Sequence, residues 1–202
     1  MNLPNKLTML RVIMIPFFIF FLLTDLFQGS LWVALGLFCG ASFTDFLDGQ
    51  IARKYNLVTN FGKFMDPLAD KLLVCSALIC FVEMKLLPSW FVIVIIAREF
   101  IISGFRLIAS DKGVVIAASW WGKFKTVSQM LTIILIIVTV ACERNIFWKG
   151  LGMLDITNIY NSAALSSWSI AITLLAWISF ILTVISLIDY IVKNKDVMKD
   201  EK

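Results

Sequence analysis

DFLDGQIARKYNLVTNFGKFMDPLAD, residues 45–70, carries four carboxylates in two pairs, Asp45 with Asp48 and Asp66 with Asp70. Spacings of i,i+3 and i,i+4 put each pair on one face of a helix. Each pair lies inside or beside a long apolar run. Four acids at the edge of hydrocarbon are costly without a compensating cation, and hard divalent cations favour carboxylate oxygen. The stretch therefore reads as a two-metal site that handles a phosphorylated lipid at a membrane surface.

The surrounding chain agrees. It has 202 residues, is 60% hydrophobic and has a mean hydropathy of +0.90. Only 16% of its residues are charged, against roughly 25% in a soluble domain. This composition predicts an all-α, polytopic membrane protein forming one domain over residues 1–202. No histidine is present, which removes the commonest general base and the usual zinc ligand. It also leaves no Ser/His or Cys/His pair for covalent catalysis. Cys39, Cys75, Cys80 and Cys142 show no CxxC spacing and sit in or beside apolar runs, which suits small hydrophobes better than disulfides. The net charge of +4 is modest, and no nucleic-acid partner is expected.

Six apolar runs follow one another. The first ends near Leu23, and no small-residue cleavage site follows it, so it reads as a retained span with Pro16 tolerated inside. The others run from Leu31 to about Phe46, continuing helically through Arg53, then Pro67–Val82, Trp90–Ile108, Ser119–Cys142 and Trp168–Tyr190. Most approach the ~20 residues a bilayer requires. The connector from Glu143 to Ser167 reads as an exposed loop with room for a short interfacial helix. Gly36 and Gly40, four apart, suggest a close helix–helix contact. Of the 18 basic residues, only Lys85, Arg144 and Lys149 fall on the side opposite the termini. The positive-inside rule then places both termini in the cytosol of a cell-membrane protein. Span two descends and span three ascends, so all four aspartates share one level at the cytosolic face.

Asp45-x-x-Asp48-Gly49-x-x-Ala52-Arg53, followed after eight residues by Gly62-x-x-x-Asp66-x-x-x-Asp70, resembles the full motif of the CDP-alcohol phosphotransferases. That resemblance implies a six-transmembrane-helix bundle with an N-terminal amphipathic entry segment. It implies transfer of a phosphatidyl or related group from a CDP-linked donor to an alcohol, with release of CMP. It assigns Asp45, Asp48, Asp66 and Asp70 to two divalent metal ions, magnesium or manganese, and makes Asp70 also the general base. It assigns Gly49, Ala52 and Gly62 to the nucleotide pocket, with Arg53 pairing with phosphate. Asn5-Lys6-Leu7-Thr8 to Arg11 resembles the family's entry helix, which places Asn5 and Thr8 at the CDP end of the lipid. A homodimer is also implied.

The acceptor is read from cations outside the motif. Arg98 lies well inside span four, where an arginine signals function or a partner. Arg106, eight residues on, is expected on the same side of the helix, and Glu99 on another face, since i,i+1 neighbours do not meet. Lys123 and Lys125 enter span five from the cytosolic side. Four cations suit an acceptor that itself bears phosphate. Glycerol 3-phosphate fits, with its phosphate on Arg98, Arg106, Lys123 and Lys125 and its distal hydroxyl as nucleophile. LPNKLTMLRVIMIPFF, AREF and SGFR also resemble the phosphatidylglycerophosphate synthases of the family. The sequence thus points to transfer of phosphatidyl from CDP-diacylglycerol to glycerol 3-phosphate.

Three rivals remain at this stage. One is the same chemistry with inositol phosphate or another phosphorylated alcohol. Another is an intramembrane prenyltransferase, which would be longer and lack the Gly-x-x-Ala-Arg element. The third is a cation transporter, which would spread its acids through the bilayer rather than hold them at one depth.

Overall fold

The computed structural model describes the backbone of residues 3–24, 26–27, 29–54, 60–111, 120–145 and 167–193. Within these, the side chains of residues 3–4, 45–54, 60–64, 66–67, 107–108, 110–111, 143–145 and 167–169 are outside the description. The described residues form six α-helices and no strand: α1 (Leu3–Leu23), α2 (Ser30–Lys54), α3 (Asn60–Glu83), α4 (Ser89–Asp111), α5 (Trp120–Asn145) and α6 (Ser167–Lys193). Segments Asn5–Leu23, Trp120–Cys142 and Ile170–Lys193 are long and apolar enough to cross a bilayer, and Ser30–Thr44 is a shorter apolar helix. The chain is a multi-pass membrane protein. The connector at 146–166 lies outside the described residues.

Polarity is arranged for lipid. On α1 the buried stripe is Asn5, Thr8, Arg11, Ile15, Phe18 and Leu22, at helical spacing, while Leu10, Ile13, Phe17, Phe20 and Leu23 are exposed. In hydrocarbon an outward leucine loses nothing, whereas a polar group must find an internal partner. Hydroxyls therefore bond back to their own helix. Ser42 Oγ donates to the Phe38 carbonyl at 2.8 Å and Thr183 Oγ1 to the Ser179 carbonyl at 2.7 Å.

The helices group into two compact units, one holding α1, α2, α3 and α5 from Ile133, the other α4, α5 to Thr132, and α6. In the first, α1 packs against both α2 and α3, and α2 also touches α3. Phe18 meets Phe38 with ring centroids 5.6 Å apart. A Cβ on Gly40 would lie 3.5 Å from Met14 Cε, an ordinary van der Waals distance, and one on Gly36 would meet nothing within 4 Å. Among the described residues neither glycine is required for a close helix–helix approach. The end of α3 is a Schellman closure. Leu86 N–H donates to the Phe81 carbonyl at 2.8 Å and Lys85 N–H to the Val82 carbonyl at 3.0 Å. Lys85 takes the left-handed conformation with φ 59°.

In the second unit α4 and α6 run parallel. Phe91 stacks on Phe180 at 4.7 Å, Arg98 bonds Ser186, and Phe105 meets Tyr190 at 6.1 Å, so numbers rise together along both helices. Parallel α4 and α6 are what a crossing α5 between them requires. The four cysteines are free thiols: Cys75 and Cys80 are buried, Cys142 is half-buried, and Cys39 is exposed.

Candidate active site

Both carboxylate pairs lie within continuous helices, Asp45 and Asp48 on α2, Asp66 and Asp70 on α3. The helical spacings read from the sequence therefore apply to real helices, and the two helices are in contact. Gly49, Ala52 and Arg53 continue α2, and Gly62 lies in the first turn of α3. The α3 helix starts at Asn60, seven residues before the apolar run at Pro67. Hydropathy marks only the part of a helix that faces hydrocarbon, and this helix extends into the polar motif. Of the four aspartates only the Asp70 side chain is described; it is exposed. Among the described residues no three acids, cysteines or histidines cluster to hold a metal. The side chains of Asp45, Asp48, Asp66, Gly49, Ala52, Arg53 and Gly62 lie outside the description.

The antiparallel register of α1 on α2 brings a second set of groups to this end. Phe18 faces Phe38, Met14 faces Gly40 and Arg11 faces Ala41. Facing numbers thus add to 52–56, so Thr8 falls opposite residues 44–48 and Asn5 opposite residues 47–51. Asn5 and Thr8, both buried, accordingly stand at the level of Asp45, Asp48 and Gly49. Arg11 has 0% exposure. Its Nε donates to the Ala41 carbonyl oxygen at 3.2 Å, one helical turn before Asp45. Sequence reasoning gave Arg11 no individual role. The available signal was its three-residue spacing from Thr8, which puts it on the stripe with Ile15 and Phe18 rather than on a solvated flank.

The four expected acceptor-site cations separate in the second unit. Arg98 and Lys125 are buried, whereas Arg106 and Lys123 are exposed. Eight residues at 3.6 per turn overshoot two turns by ~80°, enough to rotate Arg106 out of the interior that holds Arg98. Lys123 Nζ lies 4.6 Å over the Trp120 ring, a cation–π contact. Glu99 departs from its expected separation from Arg98. Arg98 Nη1 donates to Glu99 Oε1 at 3.3 Å, and Lys125 Nζ donates to the same oxygen. The two side chains are long enough to curl round α4 towards Lys125, although their Cβ atoms diverge. Arg98 Nη2 donates to Ser186 Oγ at 2.6 Å. A Cβ on Gly122 would stand 3.5 Å from that Nη2 and 3.7 Å from the Ser186 oxygen. Ser186 was not singled out from sequence, and Glu99 was read only as facing away from Arg98.

Comparison with known proteins decides the family. The model of the CDP-alcohol phosphatidyltransferases matches residues 1–188. The chain belongs to this family. It is an enzyme of phospholipid synthesis, and members of the family are in general dependent on divalent metal. The chain is 49% identical over 143 residues to the CDP-diacylglycerol–glycerol-3-phosphate 3-phosphatidyltransferase of Bacillus subtilis, covering 65% of this chain and 74% of that protein. It is 37% identical over 178 residues to the protein of the same name in Haemophilus influenzae, covering 83% and 89%. A probable phosphatidylglycerophosphate synthase of Mycobacterium tuberculosis is 41% identical over 146 residues, covering 69% and 68%. The family assignment disfavours the prenyltransferase and transporter readings.

Proposed function

We propose that this enzyme transfers a phosphatidyl group from CDP-diacylglycerol to glycerol 3-phosphate, giving phosphatidylglycerol phosphate and CMP. The observation that carries this reading is the run of relatives bearing that activity in their names at 37–49% identity. It agrees with the acceptor read in the sequence from the cations Arg98, Arg106, Lys123 and Lys125. The reaction runs in one catalytic membrane domain of six spans, with the motif and both termini at the cytosolic face of the cell membrane. A homodimer remains the expectation from family resemblance.

The donor set fits two divalent cations. It is made of carboxylate oxygen alone, in two pairs on two touching helices, which suits magnesium or manganese rather than a soft metal. Asp45, Asp48, Asp66 and Asp70 would hold them, and when bound they would neutralise the diphosphate of the donor. Asp70 accepts the proton of the distal hydroxyl of glycerol 3-phosphate. The alcohol oxygen forms a bond to the lipid-side phosphorus, and the bond from that phosphorus to the bridging oxygen breaks. CMP leaves with the electron pair. Arg53 pairs with donor phosphate in the planar, bidentate manner open to a guanidinium. Gly49, Ala52 and Gly62 leave room for the cytidine, and Asn5 and Thr8 line its approach from α1. Of the four cations read from the sequence for the acceptor's phosphate, Arg98 and Lys125, which share Glu99, serve it, whereas Arg106 and Lys123 are exposed apart from that pair.

The test is an acceptor panel. Purified enzyme with CDP-diacylglycerol should release CMP with glycerol 3-phosphate, and only in the presence of divalent metal. Faster release with inositol phosphate or with an uncharged alcohol would replace the acceptor named here.

A further inference from the structure

Two of the cations assigned to the acceptor's phosphate are already engaged by an anion. Glu99 Oε1 receives both Arg98 Nη1 and Lys125 Nζ. Lys125 is 1% exposed and Arg98 6%. Ser186 fixes the other guanidinium nitrogen of Arg98, and Arg98 Nε is a buried donor with no partner among the described residues. A phosphate oxygen cannot take the position between Arg98 Nη1 and Lys125 Nζ while the carboxylate oxygen occupies it.

We propose that Glu99 is a placeholder for the acceptor's phosphate. In the resting enzyme its carboxylate holds Arg98 of α4 and Lys125 of α5 on one oxygen. An incoming phosphate takes that position, and Glu99 swings aside towards the partly exposed side of its helix, where its side chain already has 17% exposure. The inference rests on the acceptor site proposed above. It makes Glu99 a specificity-determining residue. A phosphate dianion displaces a carboxylate from two cations, because it brings more charge and more acceptor oxygens. A neutral hydroxyl does not. Glu99 thus sets the threshold that turns away uncharged alcohols, at the expense of affinity for the true acceptor.

The experiment measures binding of inorganic phosphate and of glycerol 3-phosphate to the full-length enzyme in detergent, by calorimetry and by ligand-induced thermal shift. Wild type is compared with Glu99→Gln, Glu99→Asp and Arg98→Gln. Removing the competing charge should tighten both ligands in Glu99→Gln about tenfold, the scale of one charge-assisted hydrogen bond. The KM for glycerol 3-phosphate should fall with it while that for CDP-diacylglycerol holds. Glu99→Asp keeps the charge on a shorter arm and should tighten binding in the same direction by less; it carries the test if the glutamine variant does not fold. Unchanged or weaker binding in the Glu99 variants, with Arg98→Gln weakened, overturns the placeholder and leaves the acceptor site standing. Arg98→Gln binding phosphate as wild type overturns both.

Discussion

Arg11 on α1 donates from its Nε to the main-chain oxygen of Ala41 on α2, across an interface that buries the arginine completely. The bond joins the entry helix to the turn of α2 that leads into Asp45. A cation held without exposure, one turn before Asp45, ties α1 to the part of α2 that carries the motif.

Replacing Arg11 by alanine removes that bond and empties a large buried volume. A bond from a charged donor contributes about 1.5–3 kcal/mol, so the Arg11→Ala enzyme should unfold at a clearly lower temperature in detergent. CDP-diacylglycerol binding should weaken with it. Arg11→Lys keeps the charge and should recover part of both. A stability equal to wild type would show that the α1–α2 interface does not depend on this residue.

Lys125 and Glu99 make the corresponding link in the other unit. Removing one member of a buried ion pair costs about 3–5 kcal/mol when the remaining charge is stranded. Lys125→Met leaves Glu99 paired with Arg98 and should lose less than that. Glu99→Gln leaves two buried cations without their shared anion and should lose more. Lys125→Met with Glu99→Gln, which leaves only Arg98 without it, should lose less than the sum of the two. Thermal unfolding of the four proteins of this cycle gives the coupling. Additive losses would mean that the two side chains do not depend on each other.

Asp70→Asn tests the proton acceptor. The amide preserves shape and removes the basic oxygen, so turnover should fall by about 10²–10⁴. CDP-diacylglycerol binding should persist. Activity near wild type would take the base role from Asp70.

Lys85 occupies a left-handed position where glycine is the favoured residue. Its substitution by glycine relieves a backbone cost of about 1 kcal/mol. Lys85→Gly should raise the unfolding temperature without altering KM for either substrate. A fall in stability would indicate that the lysine side chain contributes more than its backbone strain removes.

The motif and the helix count were legible because they depend on local spacing. Asp45 to Asp48 and Asp66 to Asp70 needed only a helical period, and the structure supplies helices at both places. The start of α3 at Asn60 was not legible, since the polar turn before Pro67 has no hydropathy signal. Tertiary contacts were less visible still. Arg98 and Arg106 share a sequence rhythm, yet one is buried and the other exposed, because 80° of rotation separates inside from outside. Glu99 was assigned away from Arg98 by its Cβ direction, and the reach of the two side chains toward Lys125 reverses that. Gly40 faces Met14 of α1 at an ordinary contact distance and Gly36 faces nothing within 4 Å, which their four-residue spacing alone could not tell.

Glycerol 3-phosphate labelled with ¹⁸O at its distal hydroxyl gives the most direct test of attack by that oxygen on the lipid-side phosphorus. The account predicts phosphatidylglycerol phosphate carrying the label in its bridging phosphodiester oxygen, together with unlabelled CMP. Labelled oxygen in a cytidylyl product, or release of phosphatidic acid in place of CMP, would contradict it.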